Sequence, residues 1–361
     1  MSFIHSITAG VPDYIHSQVE FYERVAPKIN PALRSIFKKI IDGSLIRKRH
    51  AILPIEEIIR LTNEKEVGEK FKLWKEITTE FFTKQSEQIL KEAGLNPSEI
   101  DGIATCTTSG FVTPFIDVLV QNNLNLKSDI IRMPLISIGC SGGMATINRV
   151  REYLIGSPEK AFLVCVGEVL STQYENAEEA YTLVSNSIFG DGFATLLMVG
   201  KDHHLAKTSQ VELLNSKSHL FKDSNFSVAQ SMTNGGLHTY IDPNLPNLVK
   251  EHFNTPIAKM FEEMMMKIED VEYFIMHAGG PKVVTAIGEA LGIEDEKLEL
   301  TLETYRNFGN QSSVSVLTAL ATALQTYKKP GLAFMSGLGP GVHLEYCLCN
   351  ITPTSPKINN D

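Results

Sequence analysis

The sequence repeats three landmarks in the same order in its first and second halves. Each half has an acidic turn that leads into an apolar strand, then a run of small or polar residues before a helix, then a glycine-rich turn before another strand. A repeat of this length predicts two similar units that pack against each other. We therefore expect two α/β halves related by a pseudo-twofold axis, with Cys140 and Asn310 facing each other where the halves meet. The paired landmarks lie 171, 170 and 149 residues apart, at 100–106 and 271–277, 139–143 and 309–313, and 189–192 and 338–341.

Strand and helix patterns alternate from residue 100 onward, which implies crossover connections and a mostly parallel sheet. The pattern loosens at residues 203–254, which we interpret as a linker together with a cover over the functional site. We place the N-terminal half at residues 1–225 and the C-terminal half at 226–350. The remaining segment, 351–361, is polar and contains two prolines, and we expect it to be disordered.

Before residue 100 the apolar spacing predicts three elements. Residues 3–8 are typical of an opening strand. Residues 13–29 carry apolar side chains at helical spacing. Residues 64–93 predict one long amphipathic helix, which Gly94 ends.

Charge and cysteine content exclude several classes of protein. The formal net charge of −9 argues against nucleic-acid binding, which needs a basic surface, although a local basic mouth for a small anionic substrate remains compatible. The five cysteines include no Cys-x-x-Cys pair, so neither a disulfide framework nor a zinc knuckle is indicated. Residues 1–10 lack the features of a signal peptide, and no apolar run has membrane-spanning length. We expect a cytoplasmic protein of 361 residues, long enough for two cores.

The segment around Cys140 places a thiol where an apolar strand turns into a helix. The motif Gly-Cys-Ser-Gly-Gly at residues 139–143 allows a sharp turn and close approach of another group. The free N–H groups at a helix N-terminus favour a thiolate. Two alternatives stay open on this stretch alone: a nucleophile, or a small buried cysteine with no chemistry.

His277 and Asn310 occupy comparable places in the second half. His277 follows an apolar strand, and the carboxyl ends of parallel strands are where such sheets place their sites. Asn310 follows Phe-Gly, and its amide N–H groups are suited to stabilising a developing oxyanion. Each residue alone is more typical of a buried histidine or a turn asparagine. Their combination with Cys140 through the repeat favours catalysis.

Five motifs taken together resemble the type III polyketide synthases, the chalcone and stilbene synthase superfamily. The resemblance covers residues 3–349 and points to a bacterial-like member. It implies a thiolase-like α/β fold, with two pseudo-twofold-related halves in five αβαβα layers, and a homodimer. The motifs are Gly-Cys-Ser-Gly-Gly at 139–143, Phe-Gly-Asp-Gly at 189–192, His-Ala-Gly-Gly-Pro at 277–281, Phe-Gly-Asn-Gln-Ser-Ser at 308–313 and Gly-Leu-Gly-Pro-Gly at 337–341.

The resemblance implies an acyltransferase reaction at these motifs. Cys140 would attack an acyl-CoA starter and hold the growing chain, and His277 would keep Cys140 as a thiolate by ion pairing. His277 and Asn310 would donate hydrogen bonds to the malonyl-CoA thioester carbonyl during decarboxylation. Iterative Claisen condensation and cyclisation would give a pyrone, a resorcinol or a related polyketide. No metal or redox cofactor is implied; coenzyme A thioesters are the substrates.

Several pocket positions depart from the plant enzymes of the family. Thr239 stands where a second gatekeeper phenylalanine is usual, so that a bulky gate is either missing or supplied by Tyr240. Thr113 stands where a methionine crosses the dimer. These departures favour a less obstructed pocket and a long fatty acyl starter that gives alkylpyrones or alkylresorcinols. The residues that the resemblance assigns to the substrate pocket are Phe189, Thr108, Thr113, Leu170, Gln173, Thr239, Tyr240 and Ser312.

The basic segment at residues 34–49 aligns with the entrance helix that binds coenzyme A in the family. Lys39 matches a basic position there, and Lys38, Arg47 and Gly279 are further candidates for coenzyme A contacts. A solvated helix face and loop is the alternative interpretation for any single basic residue in this segment.

Two other functions fit parts of the sequence. A ketoacyl-ACP synthase III shares the cysteine, histidine and asparagine but takes malonyl groups from a carrier protein. A catalytically inactive thiolase-fold partner subunit would share the fold alone.

Overall fold

The computed structural model describes residues 1–64, 67–174, 180–233 and 236–353, and its strands and helices account for most of that part of the chain. The strands are β1 Ser2–Gly10, β2 Tyr14–Ser17, β3 Lys48–Ala51, β4 Gly102–Thr107, β5 Ile131–Ile136, β6 Ala161–Glu168, β7 Gly192–Gly200, β8 Val211–Leu220, β9 Val228–Thr233, β10 Gly236–Ile241, β11 Tyr273–Met276, β12 Gly331–Gly339 and β13 His343–Ile351. The α-helices are α1 Gln18–Val25, α2 Arg34–Gly43, α3 Ile55–Glu64, α4 Val67–Ala93, α5 Ile116–Asn123, α6 Gly142–Gly156, α7 Ala180–Ile188, α8 Leu245–His252, α9 Asn254–Glu263, α10 Pro281–Leu291, α11 Asp295–Phe308 and α12 Ser315–Thr326.

Nine strands join in one sheet, in the order β11-β12-β13-β8-β1-β7-β6-β4-β5. Strands β4, β6, β7 and β1 in the first half correspond to β11, β12, β13 and β8 in the second. The two sets meet where β1 pairs with β8, through Ser2 and Leu213. The order within each set supports the pseudo-twofold relationship that the sequence repeat predicts. The division between residues 225 and 226 stays a prediction.

The two halves of the sheet form two β layers, with helices between them and on both outer sides, so that the molecule has five layers. Alternating side chains of each strand face the central core and an outer core. Phe162 of β6 and Ile275 of β11 face a central core that also contains the apolar sides of α6 and α12. Leu163 faces the opposite way, into a core covered by α4 and α5. Phe274 packs against α8 to α11 on the far side of the second half. The α/β fold with five αβαβα layers, expected from the resemblance, is therefore confirmed.

The sheet is mixed, so the expectation of a mostly parallel sheet is wrong. Only β4 with β5, β4 with β6, and β11 with β12 pair in parallel among the described strands. Strands β6 and β7, like β12 and β13, are joined by antiparallel pairing. The direction of a strand depends on distant partners, and apolar spacing carries no information about it.

Two early elements also differ from the sequence-based expectations. Residues 13–29 do not form one helix, because Tyr14–Ser17 pairs with Lys48–Ala51 and the helix Gln18–Val25 begins only after Ser17, whose hydroxyl accepts from Glu20 N. The long helix is Val67–Ala93, preceded by the separate helix Ile55–Glu64. It does end at Gly94, which has a φ of 68°.

The prediction of a disordered tail lies almost wholly outside the described residues, because Ile351 ends β13 and only 352 and 353 follow it there. In the described part of the chain, no helix combines the length and the apolar character that a membrane crossing requires.

Candidate active site

Cys140 lies in a short 3₁₀ turn, Gly139–Ser141, between β5 and α6. Gly139 has a φ of 64°, and a Cβ built on it would lie 2.2 Å from Pro340 Cδ. Only glycine fits a position with this backbone conformation and this close neighbour. The glycine-rich turn of the second half therefore sets where the thiol lies.

The thiol of Cys140 donates a hydrogen bond to Ser312 Oγ, at 3.6 Å. Burial raises the pKa of Cys140 to about 12; Ser312 opposes this shift, and the nearby Glu168 charge adds to it. Behind the turn, Gly139 N donates to Thr108 Oγ1 at 3.0 Å. Burial therefore favours the neutral thiol in the free site.

The amide of Asn310 is oriented by its own turn. Asn310 Oδ1 accepts a hydrogen bond from Ser312 N at 2.8 Å, which leaves the amide N–H groups of Asn310 free to point elsewhere. Its backbone forms an isolated bridge with Phe189, through Asn310 N to Ile188 O at 2.8 Å and Gly190 N to Asn310 O at 3.0 Å. A substrate-pocket candidate from the first half is thus fixed to a catalytic candidate from the second.

His277 follows β11, and its backbone N–H donates to Ser336 O at 2.8 Å. Burial lowers the pKa of His277 to about 4, against a smaller opposing effect from a hydrogen bond to the Ser312 backbone. Its Nδ1 is buried and makes no hydrogen bond within the described ranges. Burial thus favours a neutral imidazole beside a neutral thiol, whereas the ion pair expected from the resemblance requires a proton to move from Cys140 to His277.

One cavity of about 660 Å³, measured with its open mouth, brings the three catalytic candidates together. Its other walls are largely apolar and come from the β9–β10 hairpin, α8, α10 and the turn after β12. The lining residues are Gly139, Cys140, Leu170, Phe189, Val228, Gln230, Thr239, Ile241, Leu245, His277, Gly279, Val283, Asn310, Ser312, Leu338 and Pro340.

A second cavity of about 360 Å³ adjoins the first and has more polar walls. Leu170, Phe189 and Thr239 line both cavities, so they form the partition between them. Gln173 lines only the second, where its amide donates to Ser109 O at 2.7 Å.

Three pocket candidates do not line either cavity. Thr108 is buried behind the Cys140 turn, where it also donates its backbone N–H to Glu168. Thr113 is exposed, next to a cis peptide bond with Pro114. Tyr240 lies on the face of β10 opposite to Thr239 and is exposed. Tyr240 is therefore not placed to supply the bulky gate from its present position.

The residues predicted to contact coenzyme A differ in whether they already form ion pairs within the protein. Lys39 is exposed on α2 and forms no ion pair with the residues described. Lys38 pairs with Asp42, one turn along the same helix. Arg47 binds Glu303 of α11 at 2.6 Å. Gly279 lines the main cavity.

Arg49 is buried, with 3% of the residue exposed, so the interpretation of the basic segment as a solvated surface does not hold for it. Its Nη1 donates to Phe189 O at 2.6 Å and to Asn186 O at 2.9 Å, and its guanidinium stacks 4.3 Å from the Phe21 ring. These carbonyls end α7, where a helix favours positive charge. Arg49 thus holds the segment that carries Phe189.

Glu168 is a fully buried carboxyl near Cys140 that the sequence analysis missed. It accepts hydrogen bonds from Ser313 Oγ at 2.5 Å and from Ser109 N at 2.9 Å, and so links the two halves behind the site. Burial raises its pKa. The sequence feature that could have identified Glu168 is an acidic residue at the end of an otherwise apolar strand pattern, Ala161–Glu168.

Comparisons with known proteins cover both halves. The family models for the N-terminal and C-terminal domains of chalcone and stilbene synthases match residues 2–203 and 212–351. The 1,3,6,8-tetrahydroxynaphthalene synthase of Streptomyces peucetius subsp. caesius is 25% identical over 349 residues, covering 96% of this chain and 92% of that protein. The alpha-pyrone synthesis polyketide synthase-like Pks18 of Mycobacterium tuberculosis is 25% identical over 362 residues, covering 97% and 91%.

Solved structures share the fold. The 1,3,6,8-tetrahydroxynaphthalene synthase of Streptomyces coelicolor A3(2) has a TM-score of 0.88 at 22% identity, covering 98% of this chain and all of that one. The C-terminal type III polyketide synthase domain of Steely1 from Dictyostelium has a TM-score of 0.90 at 22% identity, covering 97% and 99%.

Proposed function

Because this chain belongs to the chalcone and stilbene synthase family, and so is an acyltransferase of the type III polyketide synthase class, we propose that Cys140 carries the acyl chain during its condensation reactions. The observation that carries this proposal is the common cavity of Cys140, His277 and Asn310, which come from different segments of both halves. A nucleophile, a proton acceptor and an amide donor in one enclosed site are what thioester condensation requires.

In the loading step, Cys140 Sγ attacks the thioester carbonyl of the acyl-CoA starter. The thiol proton passes to His277, which is neutral near pH 7 because burial lowers its pKa to about 4. The bond from the carbonyl to the coenzyme A sulfur breaks as the Cys140 thioester forms, and His277 returns the proton to that sulfur. The transient thiolate and imidazolium attract each other, which offsets part of the cost of charging two buried groups.

In the condensation step, the thioester oxygen of malonyl-CoA accepts hydrogen bonds from Asn310 and His277. Loss of carbon dioxide leaves an enolate whose negative charge these neutral donors stabilise. The enolate carbon attacks the acyl carbonyl on Cys140, a carbon–carbon bond forms, and the Cys140 thiolate leaves. Transfer of the lengthened chain back to Cys140 permits the next cycle. These steps use coenzyme A thioesters and no metal or redox cofactor.

The walls of the main cavity support an apolar starter. Val228, Ile241, Leu245, Val283 and Leu338 present hydrocarbon surface beside Cys140. A long fatty acyl chain gains free energy from burial against such walls. We assign the starter to this class and the product to the alkylpyrones or alkylresorcinols, in agreement with the pyrone named for the mycobacterial relative.

Coenzyme A is assigned to the mouth of the same cavity. Gly279 offers a backbone surface without a side chain, and Lys39 offers a cation for phosphate. Lys38 and Arg47 would have to exchange the carboxylates of Asp42 and Glu303 for phosphate.

We further propose a homodimer in the cytoplasm. Strand β5 forms the outer edge of the sheet, and its residues are exposed or half-buried, with Ile131 37% exposed. An open edge strand with apolar side chains favours pairing with a second chain. Phe111, 58% exposed, and Thr113 lie in a loop of the same half. In the proposed dimer, Thr113 would contact the substrate bound by the partner chain, from this loop and across the interface between the two chains.

Mass spectrometry of products tests the proposal and its alternatives. The enzyme is incubated with malonyl-CoA and short, aromatic or long acyl-CoA starters, and separately with malonyl-carrier protein. We expect pyrones or resorcinols from malonyl-CoA with long starters, and an acyl adduct on Cys140. Turnover with the carrier protein alone would indicate a ketoacyl-ACP synthase. Full activity of Cys140→Ala would exclude the covalent mechanism.

A further inference from the structure

A polar network connects the Cys140 turn with a second histidine. His343 is the first residue of β13, and its Nδ1 lies 3.3 Å from Ser141 Oγ. Ser141 directly follows Cys140, is fully buried and ends the 3₁₀ turn. The network therefore reaches the residue next to the thiol without entering the substrate cavity.

Hydrogen bonds hold the imidazole of His343 at both ring nitrogens. Ser141 donates its hydroxyl proton to Ile138 O at 3.2 Å, so that it accepts from His343 Nδ1. At the other end of the ring, Nε2 lies 3.2 Å from Glu345 Oε1 and 2.8 Å from Ser218 Oγ. Both ring nitrogens therefore have protein partners, and Nδ1 is the one that donates to Ser141.

Glu345 is a buried anion next to the His343 ring. Its carboxylate accepts from Arg149 Nη2 at 2.7 Å and from Asn148 Nδ2 at 2.7 Å. Burial alone would raise the pKa of Glu345, but hydrogen bonds from His343 and Asn148 and the Arg149 charge outweigh it, and the pKa is lowered. The group is therefore ionised near pH 7.

The other charged groups around this histidine lie on neighbouring elements. Arg149 comes from α6, whereas His219 and Lys217 come from β8. Burial, followed by the charge of His343, lowers the pKa of His219. Lys217 is engaged with Glu263 of α9 at 2.6 Å. Glu345 is the acidic group in direct contact with His343.

Close packing would transmit a shift of Ser141 to the thiol. A Cβ built on Gly339 would lie 2.4 Å from Ser141 Oγ, and one built on Gly337 would lie 3.2 Å from Cys140 O. The turn thus rests directly on β12, and β12 is paired with the start of β13 through Gly339 and His343. Because the packing around these residues leaves no free space, a displacement of His343 or Ser141 would also displace their neighbours in the Cys140 turn.

We propose that His343 is a positioning residue that holds Ser141, and through it the turn of Cys140, by donating from Nδ1 to Ser141 while Ser218 and Glu345 hold Nε2. The proposal rests on the proposed function only in taking Cys140 as the nucleophile.

The test measures the rate at which iodoacetamide labels Cys140, with the protein's fold checked by thermal unfolding. The other four cysteines are buried, so labelling reports this thiol even if no polyketide is formed. We expect His343→Leu to slow labelling about tenfold, since small displacements of reacting groups cost this much or more. His343→Asn should restore most of the rate, because its amide nitrogen replaces Nδ1 as donor to Ser141.

Further variants separate this role from a general structural one. Ser141→Ala should reproduce the effect of His343→Leu, and the double variant should be no slower than either. Ser218→Ala, which leaves the Ser141 contact intact, serves as the matched control.

Three results would overturn the proposal: a wild-type labelling rate in a folded His343→Leu variant, effects of Ser141→Ala and His343→Leu that multiply, or equal slowing by Ser218→Ala. Absence of polyketide products with these labelling results intact would instead contradict the proposed function.

Discussion

The Cys140 thiol of the first half lies 3.6 Å from the Ser312 hydroxyl of the second half. Ser312 also donates its backbone N–H to Asn310 Oδ1, and its backbone contacts the His277 ring. One residue thus touches all three catalytic candidates. It connects the charge state of the proposed nucleophile with the orientation of the groups that would stabilise the enolate.

Ser312→Ala should make Cys140 less reactive. The hydroxyl stabilises the thiolate, so its loss raises a thiol pKa that burial already places at about 12. Hydrogen bonds to charged groups contribute about 1.5–3 kcal/mol, which predicts labelling by iodoacetamide roughly tenfold slower. Ser209→Ala, at a distant loop, is the control. Unchanged labelling of a folded variant would show that the contact has no effect on reactivity.

The free energy of unfolding should depend on pH through His277. Its pKa is about 4 in the folded chain, below the ordinary value, so the unfolded chain binds the proton more readily. The neutral His277 ring therefore contributes fully to the free energy of unfolding above about pH 6.5. This contribution, about 3 kcal/mol in all, is lost as the pH falls toward 4. Urea unfolding of the wild type and His277→Gln at several pH values measures this. The free energy of unfolding of the wild type should fall relative to that of His277→Gln as the pH is lowered. A difference between the two proteins that does not change with pH would contradict the prediction.

Arg49→Met should destabilise the chain and reduce activity. The substitution leaves the carbonyl groups of Phe189 and Asn186 without their buried donor. Each unsatisfied group costs about 1–3 kcal/mol. Arg34→Met, at an exposed position on α2, is the matched control. Unfolding by urea and the rate of product formation are measured together, and a variant as stable as the control would argue against the role assigned to Arg49.

Gly139→Ala should be strongly destabilising, because the positive φ is strained for alanine and its Cβ would meet Pro340 at 2.2 Å. We expect a loss above about 2 kcal/mol, with little remaining activity. Gly43→Ala provides the opposite case, since a Cβ there meets nothing within 4 Å at the end of a helix. It should be neutral or stabilise by about 0.5–1 kcal/mol. Similar thermal shifts for both variants would exclude this account.

Ile131→Lys should separate the proposed dimer into single chains. The side chain lies on the exposed edge strand β5, where a charge would be buried on association. Analytical ultracentrifugation measures the change in mass, with Met265→Lys, at a fully exposed loop position, as control. A wild-type protein that sediments as a single chain would contradict the proposed homodimer.

Much of the site could be predicted from local sequence signals. Cys140 and His277 each follow a strand-like segment at the start of a turn, and the repeat pairs Cys140 with Asn310, which follows Phe-Gly. Arg49 and His343 carry no such signal. Arg49 resembles its exposed basic neighbours, and His343 gains its partners Ser141 and Glu345 only when β13 packs beside the Cys140 turn.

Local spacing and short motifs predict the two repeated halves, their α/β character and the catalytic candidates, and the five layers follow from the family resemblance that the motifs carry. The tertiary structure decided the mixed direction of the strands, the burial of Arg49 and the neutral states favoured for Cys140 and His277. Strand pairing joins residues far apart in the chain, and burial sets the pKa of a group through everything around it. Neither quantity is contained in the neighbouring residues of a sequence.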